Sequence, residues 1–252
     1  MSNAEYTFLQ AMAVKTGFQP RGNTNWGQHH EAKHETGVLA PGASALGVRD
    51  DSLHGRTLTG SGPLSWRHDN SPAGIADLVG NVWQWVSGLR LKDGEIQIVE
   101  NNNVADNSLD VSDGSSAWRA MLQNGTLVNP GTDKTLKLDA AGSNGTGAVK
   151  LNTAISSQYP SQDTSASSSV AFANMTAQSG VTVPALAKLL GIYPIDGSDP
   201  VGTIWARNAG ERLAFRGGNY PSAAGAGLFA LNLNNYRTTR HRSIGFRPAF
   251  IL

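Results

Sequence analysis

The sequence predicts an α+β domain in which sheet outweighs helix, on three observations. Glycine occurs 29 times and proline 11 times in 252 residues, which cuts the chain into short elements and leaves little room for long helices. One clear helical pattern opens the chain and a second, short one falls near residue 185. Short alternating apolar and polar pieces separated by turn residues recur from residue 82 onward, the period of half-buried strands. An apolar fraction of 39% with 6 Trp supports a core rather than disorder. The length suits one large domain over residues 1–252.

Composition removes several function classes. Lys+Arg 20 against Asp+Glu 19 gives a formal charge of +1, so no global field draws nucleic acid or an anionic membrane. Cysteine is absent, which excludes disulfides, zinc–thiolate sites and cysteine nucleophiles. No apolar run reaches membrane-spanning length, and the first residues lack a hydrophobic signal core. The expectation is no nucleic-acid partner, no membrane insertion and no cofactor.

Taken in order, residues 1–17 read as a helix. Ser2 and Glu5 have capping-box spacing, Tyr6, Leu9 and Ala13 share a face, and Gly17 supplies the stop. Residues 21–70 are loop-like, with Trp26 and Trp66 as anchors onto the core. A loop of that length is functional or is held by something specific. Val82 to Val86 suits a strand with Val82, Gln84 and Val86 on one face and Trp83 and Trp85 on the other. Residues 90–99 read as a hairpin turning at Lys92-Asp93-Gly94-Glu95.

Residues 101–199 change character and read as a β-hairpin-rich insertion. Thr135-Leu136-Lys137-Leu138 and Ala148-Val149-Lys150-Leu151 alternate, and residues 161–169 are the flexible candidate. A short helix is expected over residues 183–190, opened by Pro184 and closed by Gly191. Ile204-Trp205-Ala206 and Arg212-Leu213-Ala214-Phe215 then lead into the final stretch.

The ends of that stretch read as framework. Phe215-Arg216-Gly217-Gly218-Asn219 is a strand running into a turn that a Cβ would obstruct. Residues 244–250 alternate as a closing strand. Arg216 and Arg247 are suited to forked pairing with a buried carboxylate, for which Asp77 is the nearest motif candidate. Between these ends, residues 220–224 and 236–242 lack core periodicity. They carry tyrosines, arginines and small polar groups, the chemistry of a contact surface. A plain solvated turn is the alternative for residues 236–242.

Three motifs in order, G-I-A-D-L-V-G-N-V-W-Q-W at Gly74 to Trp85, F-R-G-G-N at Phe215 to Asn219 and G-F-R-P at Gly245 to Pro248, carry a resemblance. The chain resembles the C-type-lectin-like fold shared by formylglycine-generating enzymes and the variable proteins of diversity-generating retroelements. In that family the three motif strands pair within the central sheet, and the opening N-A-E-Y-T-F-L looks like the family's helix. The resemblance covers both ends of the chain and skips roughly residues 101–199. The oxidase branch needs cysteines for its copper chemistry, and this chain has none. A metal-dependent oxidase and a purely structural phage protein are therefore the alternatives. The resemblance implies a binding protein, not an enzyme, with a variable ligand-binding region over residues 215–250.

By that resemblance the variable, ligand-binding positions are Tyr220, Pro221, Ser222, Ala224, Ala226, Asn235, Tyr236, Thr238, Thr239, Arg240, His241 and Arg242. The family's diversification replaces adenines, typically in Asn codons, which never reach Lys, Glu, Gln, Met or Trp. Residues 213–252 contain none of those five. The implied partner is a protein or glycan on a target-cell surface, and the implied location is a phage virion or a bacterial surface. Homo-oligomer formation is left open.

Two weaker signals complete the reading. His29, His30 and His34 are the obvious metal candidates, but the local text is loop-like and no carboxylate falls at a motif position. Asp50-Asp51 and the acids of residues 106–113 lack the spacing of a calcium loop. Both groups read as solvated loop residues.

Overall fold

The computed structural model describes residues 1–161 and 167–248. Its first element is helix α1 (Asn3–Thr16). Ser2 Oγ accepts the Glu5 N–H at 3.1 Å while Glu5 Oε2 accepts the Ser2 N–H at 2.8 Å. Two donors that the helix start would otherwise orphan are thereby satisfied. Gly17, at φ 70°, ends the helix. Tyr6, Leu9, Gln10 and Ala13 form the buried side. Tyr6 donates its hydroxyl to Leu78 O at 2.8 Å, and Gln10 donates its amide to Leu228 O at 2.8 Å.

Among the described residues the strands are β1 (Trp83–Lys92), β2 (Glu95–Val99), β3 (Trp118–Met121), β4 (Leu127–Val128), β5 (Lys137–Ala140) and β6 (Val149–Asn152), followed by β7 (Ser168–Ala171), β8 (Thr176–Ala177), β9 (Thr203–Ala206), β10 (Glu211–Arg216), β11 (Leu231–Asn235) and β12 (Ile244–Phe246). They form one open sheet in the order β7-β9-β11-β10-β1-β2-β5-β6-β8, with β12 beside β1, β3 beside β2 and β4 beside β3. Helix α2 (Ala185–Leu189) follows Pro184, within the stretch expected to be helical. The result is a mixed α+β chain, mostly sheet with few helices. Strands from residues 101–199 extend this same sheet.

The β1–β2 hairpin pairs Leu89 with Ile98 and Lys92 with Glu95. Asp93 and Gly94 take φ 48° and 82° at its turn, the left-handed pair that matches strand twist. Gln84 and Val86 face the core beneath α1, while Trp83 packs the other way with Phe215 and Ala230. The strand starts at Trp83, so Val82 precedes it. The three motif strands adjoin. β10 runs antiparallel to β1 with Trp85 opposite Phe215, and β12 runs parallel to β1 with Trp85 opposite Phe246.

Several expectations need correction. Arg216 does not meet a carboxylate: its guanidinium donates to Asn3 Oδ1 at 2.8 Å and to the carbonyls of Gly191 and Leu190, each at 3.0 Å. Arg247 reaches Gln84 Oε1 at 3.2 Å and Ala76 O at 2.7 Å. Asp77 instead accepts the Gly60 N–H at 2.6 Å, and burial pushes its carboxyl above the ordinary range. Carbonyl and amide oxygens, rather than a carboxylate, thus take both arginines. The closing strand stops at Phe246, and Ala249 and Phe250 lie outside the described residues. Of the stretch expected to be flexible, residues 162–166 lie outside the description, and Ser168 and Ser169 are paired in β7.

The long loop at 21–70 is held by specific contacts. Trp26 and Trp66 are buried, and the Trp66 indole donates to Glu35 Oε2 at 3.0 Å. Arg21 grips the same carboxylate in a fork. Those bonds hold the Glu35 carboxyl down at about 2. Asn81 Oδ1 accepts the Thr57 N–H at 2.9 Å, and Asn23 Nδ2 donates to Gly55 O at 2.7 Å.

Candidate functional site

β10 leaves the sheet through Gly217 and Gly218, at φ 90° and 85°. A Cβ on Gly217 would stand 2.3 Å from Leu78 O, and one on Gly218 would stand 2.4 Å from the Ala226 methyl. Glycine is required at both positions by close approach as well as by φ.

The first loop, residues 219–226, is framework at its ends and exposed in its middle. Tyr220 is 3% exposed and sets its ring edge-on to Trp26 at 5.0 Å. Its N–H donates to Asn81 O at 3.1 Å and its carbonyl accepts the Trp26 N–H at 3.1 Å. Ala226 is 2% exposed and belongs to the main core. Neither stands on the surface where the sequence reading put it. The Tyr220 ring fills space beside Trp26 and Gly55, and Gly218 backs onto the Ala226 methyl. Pro221, Ala223 and Ala224 are exposed. Ser222 is half-buried and stiffens the turn, its hydroxyl donating to Asn219 Oδ1 at 2.5 Å.

The second loop, residues 236–243, joins β11 to β12. Asn235 is the last residue of β11, half-buried, paired opposite Leu213 and bonded through Nδ2 to Asn232 Oδ1 at 2.9 Å. Tyr236 lies half-buried under the Arg212 guanidinium, 4.1 Å from its ring centre. Arg237 Nη2 donates to Glu211 Oε1 at 2.7 Å, and the same oxygen accepts from Arg90 at 2.7 Å. Thr238, Arg240, His241 and Arg242 are exposed and Thr239 is half-buried. Arg242 donates to the carbonyls of Asp51 at 2.6 Å and Ser52 at 3.2 Å, and His241 Nδ1 lies 2.7 Å from Ser243 Oγ.

Folding brings the two loops to one place. Asn81 O holds Tyr220, and Ser243 O accepts the Trp83 N–H at 2.8 Å, so two residues at the entry to β1 hold both loops. The long loop closes the arrangement from the other side. Thr24 O accepts the Ala223 N–H at 2.9 Å, and residues 51–52 take Arg242. The exposed middle segments therefore share one rim, held at the first loop by the buried Thr24 and Asn81 and at the second by Trp83 and by residues 51–52. Apart from Arg242, which ties the second loop to residues 51–52, the exposed side chains of this rim carry few bonds that the fold needs.

Sequence reasoning missed Arg237 and Glu211 as the inner anchor of the second loop. The only available signal was a lone acid at the head of a strand that otherwise carries arginines and apolar residues, and a pairing 26 residues away gives no local pattern. The histidines have structural partners. His30 Nδ1 lies 2.8 Å from Thr24 Oγ1, and His29 Nδ1 accepts the Ala32 N–H at 3.0 Å. His34 is exposed. Among the described residues no three His, Cys, Asp or Glu side chains gather as a metal site. Among those residues, too, no helix is long and apolar enough to cross a membrane. Comparison with protein-family models and with curated proteins finds no match to this chain.

Proposed function

We propose that the chain is a ligand-binding display protein: a C-type-lectin-like scaffold whose C-terminal loops are diversified by a retroelement. It works at a phage tail tip or a bacterial surface, recognises a protein or glycan on a target cell, and catalyses no reaction. One observation carries the reading. Pro221, Ala224, Thr238, Arg240, His241 and Arg242 are exposed on loops whose ends are fixed by buried framework. Substitution at such positions costs little stability, Arg242 losing only its exposed bonds to the Asp51 and Ser52 carbonyls, whereas the same change at Tyr220 or Ala226 disturbs the core. The adjacency of the three motif strands and the absence of Lys, Glu, Gln, Met and Trp from residues 213–252 support the same reading.

The test is a library in which those six positions are randomised, displayed and panned on purified proteins and on bacterial cells. The reading expects mostly folded variants and target-specific binders whose selectivity follows the loop sequence. A library that is mostly unfolded, or folded but without any selective binder, contradicts it.

A further inference from the structure

A groove of about 470 Å³ lies beside the second loop, lined by Trp85 of β1, Phe246 of β12, Arg237 and the Met1 end of the chain. We propose that it is a separate ligand site that takes the carboxylated sugar ring of an acidic glycan, a uronic or sialic acid unit. None of its residues is among the variable positions named above, so it stands whether or not the loops are diversified.

Three features of the groove converge on that chemistry. Its wall carries Trp85 and Phe246, cross-strand neighbours that share one face. Phe246 is 79% exposed, and a large ring left in water at the edge of a concavity marks a contact surface. Such rings stack on the C–H face of a pyranose. The volume is that of a small-molecule site.

The charged groups lining it are cationic. Arg237 spends Nε and Nη2 on Glu211, and Arg247 spends the same two nitrogens on Gln84 and on the Ala76 and Asp77 carbonyls. Nη1 of each has no hydrogen bond among the described residues, and no Asp or Glu lines the groove. Two guanidinium edges without an acid between them favour a carboxylate. The neutral polar lining is the Ser87 hydroxyl and the Asn107 amide, both exposed and both without a side-chain hydrogen bond among the described residues. These suit sugar hydroxyls. An acidic peptide answers only the charge; an acidic sugar answers the ring face, the charge and the hydroxyl partners together.

The full chain is titrated with N-acetylneuraminic acid and with glucuronic acid, followed by tryptophan fluorescence and by saturation-transfer NMR. Glucose, N-acetylglucosamine and a glutamate-rich peptide are the comparison probes. Saturable millimolar binding of an acidic sugar is expected, about tenfold tighter than for the neutral sugars. It is expected to weaken about tenfold in Phe246→Ala, whose exposed ring contributes little to folding, and also in Arg237→Gln. Melting curves confirm that both variants are folded. Failure of both acidic sugars to bind, equal binding of neutral sugars, stronger binding of the peptide, or indifference to both substitutions overturns the proposal. So does binding that appears only after residues 249–252 are deleted, which would give the groove to the chain's own end.

Discussion

Arg216 is fully buried with no carboxylate beside it, and burial lowers its guanidinium to about 10. It stays cationic at neutral pH, and three oxygens from Asn3, Leu190 and Gly191 take the place of the water it lost. Arg216→Met would take the donor from Asn3 Oδ1 and Gly191 O, while Leu190 O keeps its bond from Asn3 Nδ2. The expected loss is about 3 kcal/mol or more in urea unfolding; a loss below about 1 kcal/mol would mean that the network is not needed. Glu35 is the opposite case, an acid held by Arg21 and Trp66. Its carboxyl falls from the usual 4.5 to about 2, so the unfolded chain binds the proton first as pH drops. Its stabilisation is complete above pH 4.5 and is lost as pH falls toward 2. Because Arg21 is 44% exposed, water screens the pair, and the contribution is about 1–2 kcal/mol. Glu35→Gln should be less stable than wild type at pH 7 and should lose less stability between pH 5 and pH 2. Parallel stability–pH curves for the two proteins would refute this.

The second loop separates anchor from display within a few residues. Tyr236 and Arg237 are tied to Arg212 and Glu211, whereas residues 238–241 have few such ties. Replacing Thr238, Thr239, Arg240 and His241 together by serine should move the melting temperature by no more than about 2 °C. Tyr236→Ala should cost about 2 kcal/mol and several degrees. Equal effects from the two variants would erase the distinction. At this scale the sequence was a good guide to elements with local causes. The capping box, the Asp-Gly hairpin turn and the Gly-Gly turn each depend on residues within a few positions of one another, and each stands where expected. The expected contact surface was drawn too wide at Tyr220 and Ala226. An aromatic in a loop and a small residue among small residues carry no local mark of burial; a tryptophan 194 positions away in one case and a glycine backbone in the other decide it.

Across the whole molecule the long loop at 21–70 does what its length alone could not reveal. Trp66 and Arg21 fix it through Glu35, and Asn23 and Asn81 lock it to the start of β1. It then meets the first C-terminal loop at Thr24 and the second at residues 51–52. Two segments that read separately as surface become one rim because a third, far away in sequence, joins them. Periodicity describes neighbours along the chain and is silent on such joins. The central claim is that the positions on this rim are written to vary while their supports are kept. The most direct measurement is deep sequencing of the coding region for residues 213–252 across many independent isolates, with the flanking DNA. The account predicts adenine-directed substitutions concentrated at Pro221, Ala224 and residues 238–242. It also predicts Tyr220, Ala226, Gly217 and Gly218 unchanged, and a near-identical template beside a reverse-transcriptase gene. Invariant loops, or changes spread evenly over buried and exposed positions with no such template, would contradict it.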